Sequence, residues 1–91
     1  MGVQFKIPRQ LQEKTDGAIH IEVRGCTVHE CIADLIRRYP DLKGRILDGE
    51  GRVLLKWMVY INNESVILSN ALSYAVKAGD IIAILPVVAG G

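Results

Sequence analysis

The sequence ends Val87-Val88-Ala89-Gly90-Gly91, and this run holds the group best suited to chemistry. A carboxylate after two glycines is unhindered, and with an intrinsic pKa of ~3.3–3.7 it is ionised at neutral pH. Lacking Cβ atoms, the glycine backbone can pass a narrow channel and lie close to a nucleotide. Glycines at a terminus also have a plain reading as frayed chain. Here they follow an apolar strand and an apolar lead-in, which should project the tail from the core. A carboxylate is a poor acyl donor, because attack must expel an oxide. Chemistry at Gly91 therefore needs activation, for which a mixed anhydride with a nucleoside triphosphate is the usual solution. Nothing in the chain matches a G-x-x-x-x-G-K-[ST] phosphate loop; Gly49-Glu50-Gly51 lacks both its length and its lysine. The triphosphate must be bound by a partner enzyme, and no cofactor or metal is expected on this chain.

The other reactive side chains have structural readings. Cys26 and Cys31 are too few for a disulfide framework and are not spaced as a zinc site. They occupy the N′ and N4 positions of a helix start, where a hydrophobic staple forms. His20 alternates outward on a strand and His29 lies in a first helical turn, both surface positions without a second ligand at metal spacing. Asp34, Arg37 and Arg38 read as a solvated helix face, and Trp57 as core or sheet face rather than a stacking platform.

The elements that must position the tail are legible from periodicity. Val3, Phe5 and Ile7 alternate with polar residues, as do Ile19, Ile21 and Val23, giving two strands joined by a polar connection and a Thr15-Asp16-Gly17 turn. Thr27 and Glu30 form a capping box ahead of an apolar stripe, Val28, Cys31, Ile32, Leu35, Ile36 and Tyr39, and Pro40 stops that helix. Gly44, Gly49 and Gly51 punctuate a loop. Trp57, Val59 and Ile61 share one strand face, with Met58 and Tyr60 on the other. Asn62-Asn63-Glu64 is a turn and Val66 to Leu68 a short strand. After the Lys77-Ala78-Gly79-Asp80 turn, Ile81 to Leu85 is apolar on both faces, as a central strand should be. Pro86 cannot donate to a ladder, so pairing should fail there.

A terminal strand becomes central if it pairs beside the first one. The expected fold is then α+β: a β-grasp, ubiquitin-like mixed sheet of four to five strands with one main helix packed across it. Residues 1–86 form the domain and residues 87–91 a flexible glycine tail. Met58, Tyr60, Leu85 and Pro86 are candidate docking residues on or beside an apolar sheet patch. With 91 residues, the chain is one domain with little interior for a pocket of its own. Eleven basic and ten acidic side chains leave a charge of +1, without the basic stripe of a nucleic-acid binder. No run approaches a membrane span and no signal peptide opens the chain, so the cytoplasm is the expected address.

The segment Gly79-Asp80-Ile81-Ile82-Ala83-Ile84-Leu85-Pro86, continuing to Gly91, resembles the ending of MoaD/ThiS-type sulfur carriers. Turn, strand, proline and diglycine fall in register. The resemblance extends to Val3-Gln4-Phe5-Lys6-Ile7-Pro8, to Tyr39-Pro40 through Leu47-Asp48 with Gly51-Arg52, and to Val59-Tyr60-Ile61-Asn62. Within the family, the opening and the ending look closest to CysO-type carriers of cysteine biosynthesis. Molybdopterin-synthase small subunits tend to carry paired aromatics and a second proline where this chain has Ile84, Leu85 and Val87.

What the resemblance implies is a carrier acted on by enzymes. A ubiquitin-activating-type enzyme adenylates Gly91 with ATP and Mg²⁺, and a sulfur donor converts the adenylate to a thiocarboxylate. Gly90, Ala89, Val88 and Val87 lie in the partner's channel. The sulfur passes to an acceptor synthase, pyridoxal-phosphate-dependent in CysO-type systems, where a zinc metalloprotease then releases the product. Three alternatives share these features: a ubiquitin-like modifier conjugated through Gly91, a molybdopterin- or thiamine-pathway carrier, and a plain interaction module with an incidental diglycine.

Overall fold

The computed structural model describes residues 2–66 and 68–87. Strand β1 (Val3–Lys6) buries Val3 and Phe5 and exposes Gln4 and Lys6, as its alternation requires. The connection after it is not merely polar loop: Arg9–Thr15 is a 3-10 segment that sinks Leu11 and Thr15 into the interior. Thr15 Oγ1 donates to the carbonyls of Gln12 and Ala18, which is how a hydroxyl is tolerated there. Asp16 (φ 55°) and Gly17 (φ 83°) make the expected turn into β2 (His20–Val23). Ile21 and Val23 are buried, but Ile19 precedes the strand and stays 47% exposed at the rim. Its expected place on the buried face is therefore corrected.

Helix α1 (Val28–Arg38) starts as its capping residues dictate. Thr27 is extended at φ −134° and its hydroxyl accepts from the Glu30 N–H. The Glu30 carboxylate reaches back to the Cys26 N–H at 2.7 Å, one residue ahead of the usual capping-box donor. Val28, Cys31, Ile32 and Leu35 are buried, while Ile36 and Tyr39 pack on the core edge. Beyond Pro40 the sequence suggested loop, yet Pro40–Leu42 is a 3-10 turn running into a short helix, α2 (Lys43–Ile46), with Leu42 and Ile46 fully buried. Gly44 faces open space and interrupts nothing.

Strand β3 (Trp57–Ile61) turns directly into β4 (Glu64–Val66). Asn62 (φ 52°) and Asn63 (φ 71°) are both left-handed, as a two-residue hairpin with its strands' twist demands. Pairing therefore resumes at Glu64, opposite Ile61; of the strand expected over Val66 to Leu68, Val66 ends β4 and Ile67 lies outside the described residues. Leu68–Ser73 is 3-10. Strand β5 (Ile81–Pro86) completes a five-stranded sheet in the order β2-β1-β5-β3-β4. It runs parallel to β1 and antiparallel to β3, with Ile82 and Ile84 buried against the helix side. This is the β-grasp arrangement, with the last strand central.

Pairing does not fail at Pro86. That residue sits opposite Trp57, and the Val87 N–H donates to the Lys56 carbonyl at 2.8 Å. In an antiparallel ladder alternate N–H groups point away from the partner. The donor Pro86 lacks would point to the β1 side, where pairing with β1 has already ended at Ala83.

The Asp80 carboxylate organises the turn into β5. It accepts from Asn62 Nδ2 at 3.1 Å and from the Lys77 N–H at 2.9 Å, while Asn62 Oδ1 accepts from the Ile81 N–H. These donors, Asn62 first, hold its pKa below the ordinary carboxylate value. A lowered native pKa stabilises the fold above the unfolded-state pKa and loses that contribution as pH falls through the native one. Stability to urea should thus decline on acidification below about pH 4, and Asp80→Asn should flatten that decline. An unchanged pH profile in the variant would count against this role.

Candidate functional site

Strand β5 delivers the chain end. It lies between β1 and β3, and the Val87–Lys56 bond keeps it aligned one residue past Pro86. Val87, read as the first tail residue, is thus bonded to the segment before β3. The other tail residues assigned from sequence, Val88, Ala89, Gly90 and Gly91, lie outside the described residues.

Beside this exit is the sheet face turned away from α1. Met58 stands opposite Leu85 and Tyr60 opposite Ala83. Met58 is 38% exposed, Leu85 43% and Ile81 41%, with Tyr60 half-buried between them. The Tyr60 hydroxyl lies 3.9 Å from Met58 Sδ. Strand β1 bounds the patch with polar Gln4 and Lys6, opposite Ile81 and Ala83. The structure therefore brings Met58, Tyr60 and Leu85 together. Pro86 is not with them: it alternates to the Trp57 face, where the Trp57 indole is buried and donates to the Arg45 carbonyl at 2.7 Å. Ile81 belongs to the patch as well, since the period-2 step from Leu85 through Ala83 leads to it.

An apolar patch on so small a domain is a candidate partner site. Tyr60→Asp is expected to weaken binding to an activating enzyme by about 10–100-fold, with little change in melting temperature. Loss of the fold in this variant would instead make the face structural.

The cysteines separate. Cys31 is fully buried and its thiol is pushed up to about 11, chiefly by desolvation and then by the charges of Asp34 and Glu30. It is a packing residue. Cys26 is exposed, so the staple is one-sided. Backbone bonds hold Cys26 in place instead, its N–H to Glu30 and its carbonyl accepting from the Val76 N–H at 2.9 Å. Cys31→Ala should cost about 1–3 kcal/mol and Cys26→Ala less than about 0.5 kcal/mol. Neither should change sulfur loading per folded molecule in a reconstituted assay. A folded variant that is adenylated but not thiolated would overturn this.

His20 and His29 are exposed, and no group of three or more metal-binding side chains forms among the described residues. No helix there is long and apolar enough to cross a membrane. Asp34 differs from its expected solvated-face role. Its side chain is only 13% exposed and accepts from the Arg24 N–H at 3.0 Å and from Arg37 and Arg38. The Arg24 bond, then Arg37, holds its pKa low.

A β-grasp sheet with a central last strand places the chain among ubiquitin-like proteins. The chain belongs to the ThiS family, which matches residues 5–91. It is 34% identical over 93 residues to the sulfur carrier protein CysO of Mycobacterium tuberculosis, covering the whole of both chains. Its fold matches CysO in a crystal structure of the Amycolatopsis orientalis BexX/CysO complex, with TM-score 0.87, 39% identity and coverage of 99% and 100%. Small archaeal modifier protein 1 of Haloferax volcanii is also similar, with TM-score 0.75, 27% identity and 98% of each chain covered. The similar mycobacterial proteins bear the name of carriers, not of enzymes.

Proposed function

We propose that this chain is a CysO-type sulfur carrier that works through the Gly91 carboxylate. A partner enzyme uses ATP and Mg²⁺: a carboxylate oxygen attacks the α-phosphorus and pyrophosphate leaves. A sulfide-level donor then attacks the acyl adenylate, AMP departs, and Gly91 carries a thiocarboxylate. The tail from Val87 through Val88, Ala89 and Gly90 threads the partner's channel, while the Met58–Tyr60–Leu85 face docks outside it. The sulfur passes to an acceptor synthase, with cysteine or a related metabolite favoured as product. A pyridoxal-phosphate enzyme would fit as that synthase and a zinc metalloprotease as the releasing step.

The observation that carries this reading is the full-length likeness to a named sulfur carrier. The family match runs through β5 to Gly91. That the Amycolatopsis CysO is found in complex with BexX supports a protein partner for a carrier of this kind. The test is intact mass after incubation with an activating enzyme, ATP, Mg²⁺ and sulfide. Replacement of one oxygen by sulfur at Gly91 is expected; an unchanged mass with an active partner would sink the proposal. The likeness to small archaeal modifier protein 1 favours a second reading, conjugation of Gly91 to lysine amines. That reading predicts higher-mass protein adducts in the native host.

A further inference from the structure

The sheet has two open edges, and they are protected differently. Strand β4 is only three residues long and offers little to pair with. Strand β2 is the longer hazard. The Ile7 N–H donates to the Ile19 carbonyl, and Val3 stands opposite Val23, so the odd-numbered residues of β2 bond to β1. His20, Glu22 and Arg24 therefore turn their backbone N–H and C=O groups outward.

Two side chains of α1 meet that edge. The Arg24 N–H donates to Asp34 Oδ2 at 3.0 Å, and Arg38 Nη2 donates to the Glu22 carbonyl. The same Arg38 nitrogen lies 3.1 Å from Asp34 Oδ2. A residue on a parallel neighbouring strand would donate its N–H to one carbonyl and accept from the N–H two residues further on. The Asp34–Arg38 pair makes the same two bonds, across Val23.

We propose that the Asp34–Arg38 ion pair is an edge lock, a side-chain mimic of a sixth strand that keeps β2 from pairing with β2 of a second copy of this chain. The second copy is the occupant that charge favours. An antiparallel register with Val23 opposite Val23 sets Glu22 of each chain opposite Arg24 of the other, placing opposite charges across the new ladder. It also uses the Glu22 carbonyl and the Arg24 N–H that the lock now occupies. Arg37 bonds the second Asp34 oxygen, Oδ1, and so keeps Oδ2 aimed at the edge. Asp34, Arg37 and Arg38 lie on α1, across the sheet from Met58 and Leu85. Glu22 shares the outer face through its pairing with Gln4 but is separated from β3 by β1 and β5, so the lock is independent of the docking proposed above.

The experiment compares the unaltered protein with Asp34→Ala/Arg38→Ala by light scattering coupled to gel filtration. The double variant should dimerise at least about tenfold more tightly, the factor that one charged hydrogen bond represents. Adding Glu22→Pro should return it to the monomer, because proline removes an outward N–H that the β1 ladder does not use. A folded double variant that stays monomeric overturns the proposal, as does association that survives Glu22→Pro. Should the variant not fold, amide exchange on the unaltered protein decides. The Arg24 N–H should exchange at least about tenfold more slowly than the Glu22 N–H after correction for intrinsic rates. Equal rates would refute the lock.

Discussion

Substituting Gly90 by valine, or deleting Gly91, is expected to abolish sulfur loading while leaving the fold intact. The loss should be at least about 100-fold, the scale on which misplacing a reacting group by an ångström acts. Adenylation needs a free carboxylate at the end of a strand that can enter a narrow channel, and a branched side chain at position 90 adds bulk where a glycine has none. Strand β5 is held on both sides, by β1 and by β3 as far as the Val87–Lys56 bond. Among the described residues the core ends at Ile84, and urea stability is expected to shift by less than about 0.5 kcal/mol. Appending a residue after Gly91 should have the same effect as deletion. A variant ending at Gly90 that still loads at the normal rate would move the chemistry elsewhere.

Phe5→Ala should do the reverse. Phe5 is fully buried on β1, opposite Ile21 on one side and Ile82 on the other, beneath α1. Truncating a buried phenylalanine costs about 3–5 kcal/mol through lost burial and the cavity left behind. A domain of this size has on the order of 5–14 kcal/mol in all, so the variant should be partly unfolded at physiological temperature. Loading per folded molecule should nevertheless stay normal, since Phe5 lies on the helix side of the sheet, away from Met58, Tyr60 and Leu85. A loss below about 1 kcal/mol would mean the core closes around the gap far better than a packed interior does.

How far the sequence alone reaches can be read from particular residues. Local signals decide what is local. The Thr27–Glu30 cap, the stripe from Val28 to Tyr39, the Asn62-Asn63 turn and the alternation of Trp57 to Ile61 each depend on neighbours a few positions away. Their outcome is therefore written in the residue order. The two-sided apolarity of Ile81 to Leu85 likewise marks a central strand, which is where β5 lies.

Tertiary structure decided what depends on distant partners. Leu11, Leu42 and Ile46 are buried in segments that read as loop, because the core below them, not their own periodicity, supplies the apolar contact. Pro86 keeps its place because pairing with β1 ends three residues earlier, at Ala83. Cys26 and Cys31 have the same side chain, and only the depth of each against the sheet makes one exposed and the other a packed thiol. Asp34 and Arg38 look like an ordinary i,i+4 surface pair until β2 arrives beside them. Its Arg24 N–H and Glu22 carbonyl, ten and sixteen positions away in sequence, then turn the pair into the cover of a sheet edge. A side chain's type sets which bonds it can make, and the fold sets which groups come within reach.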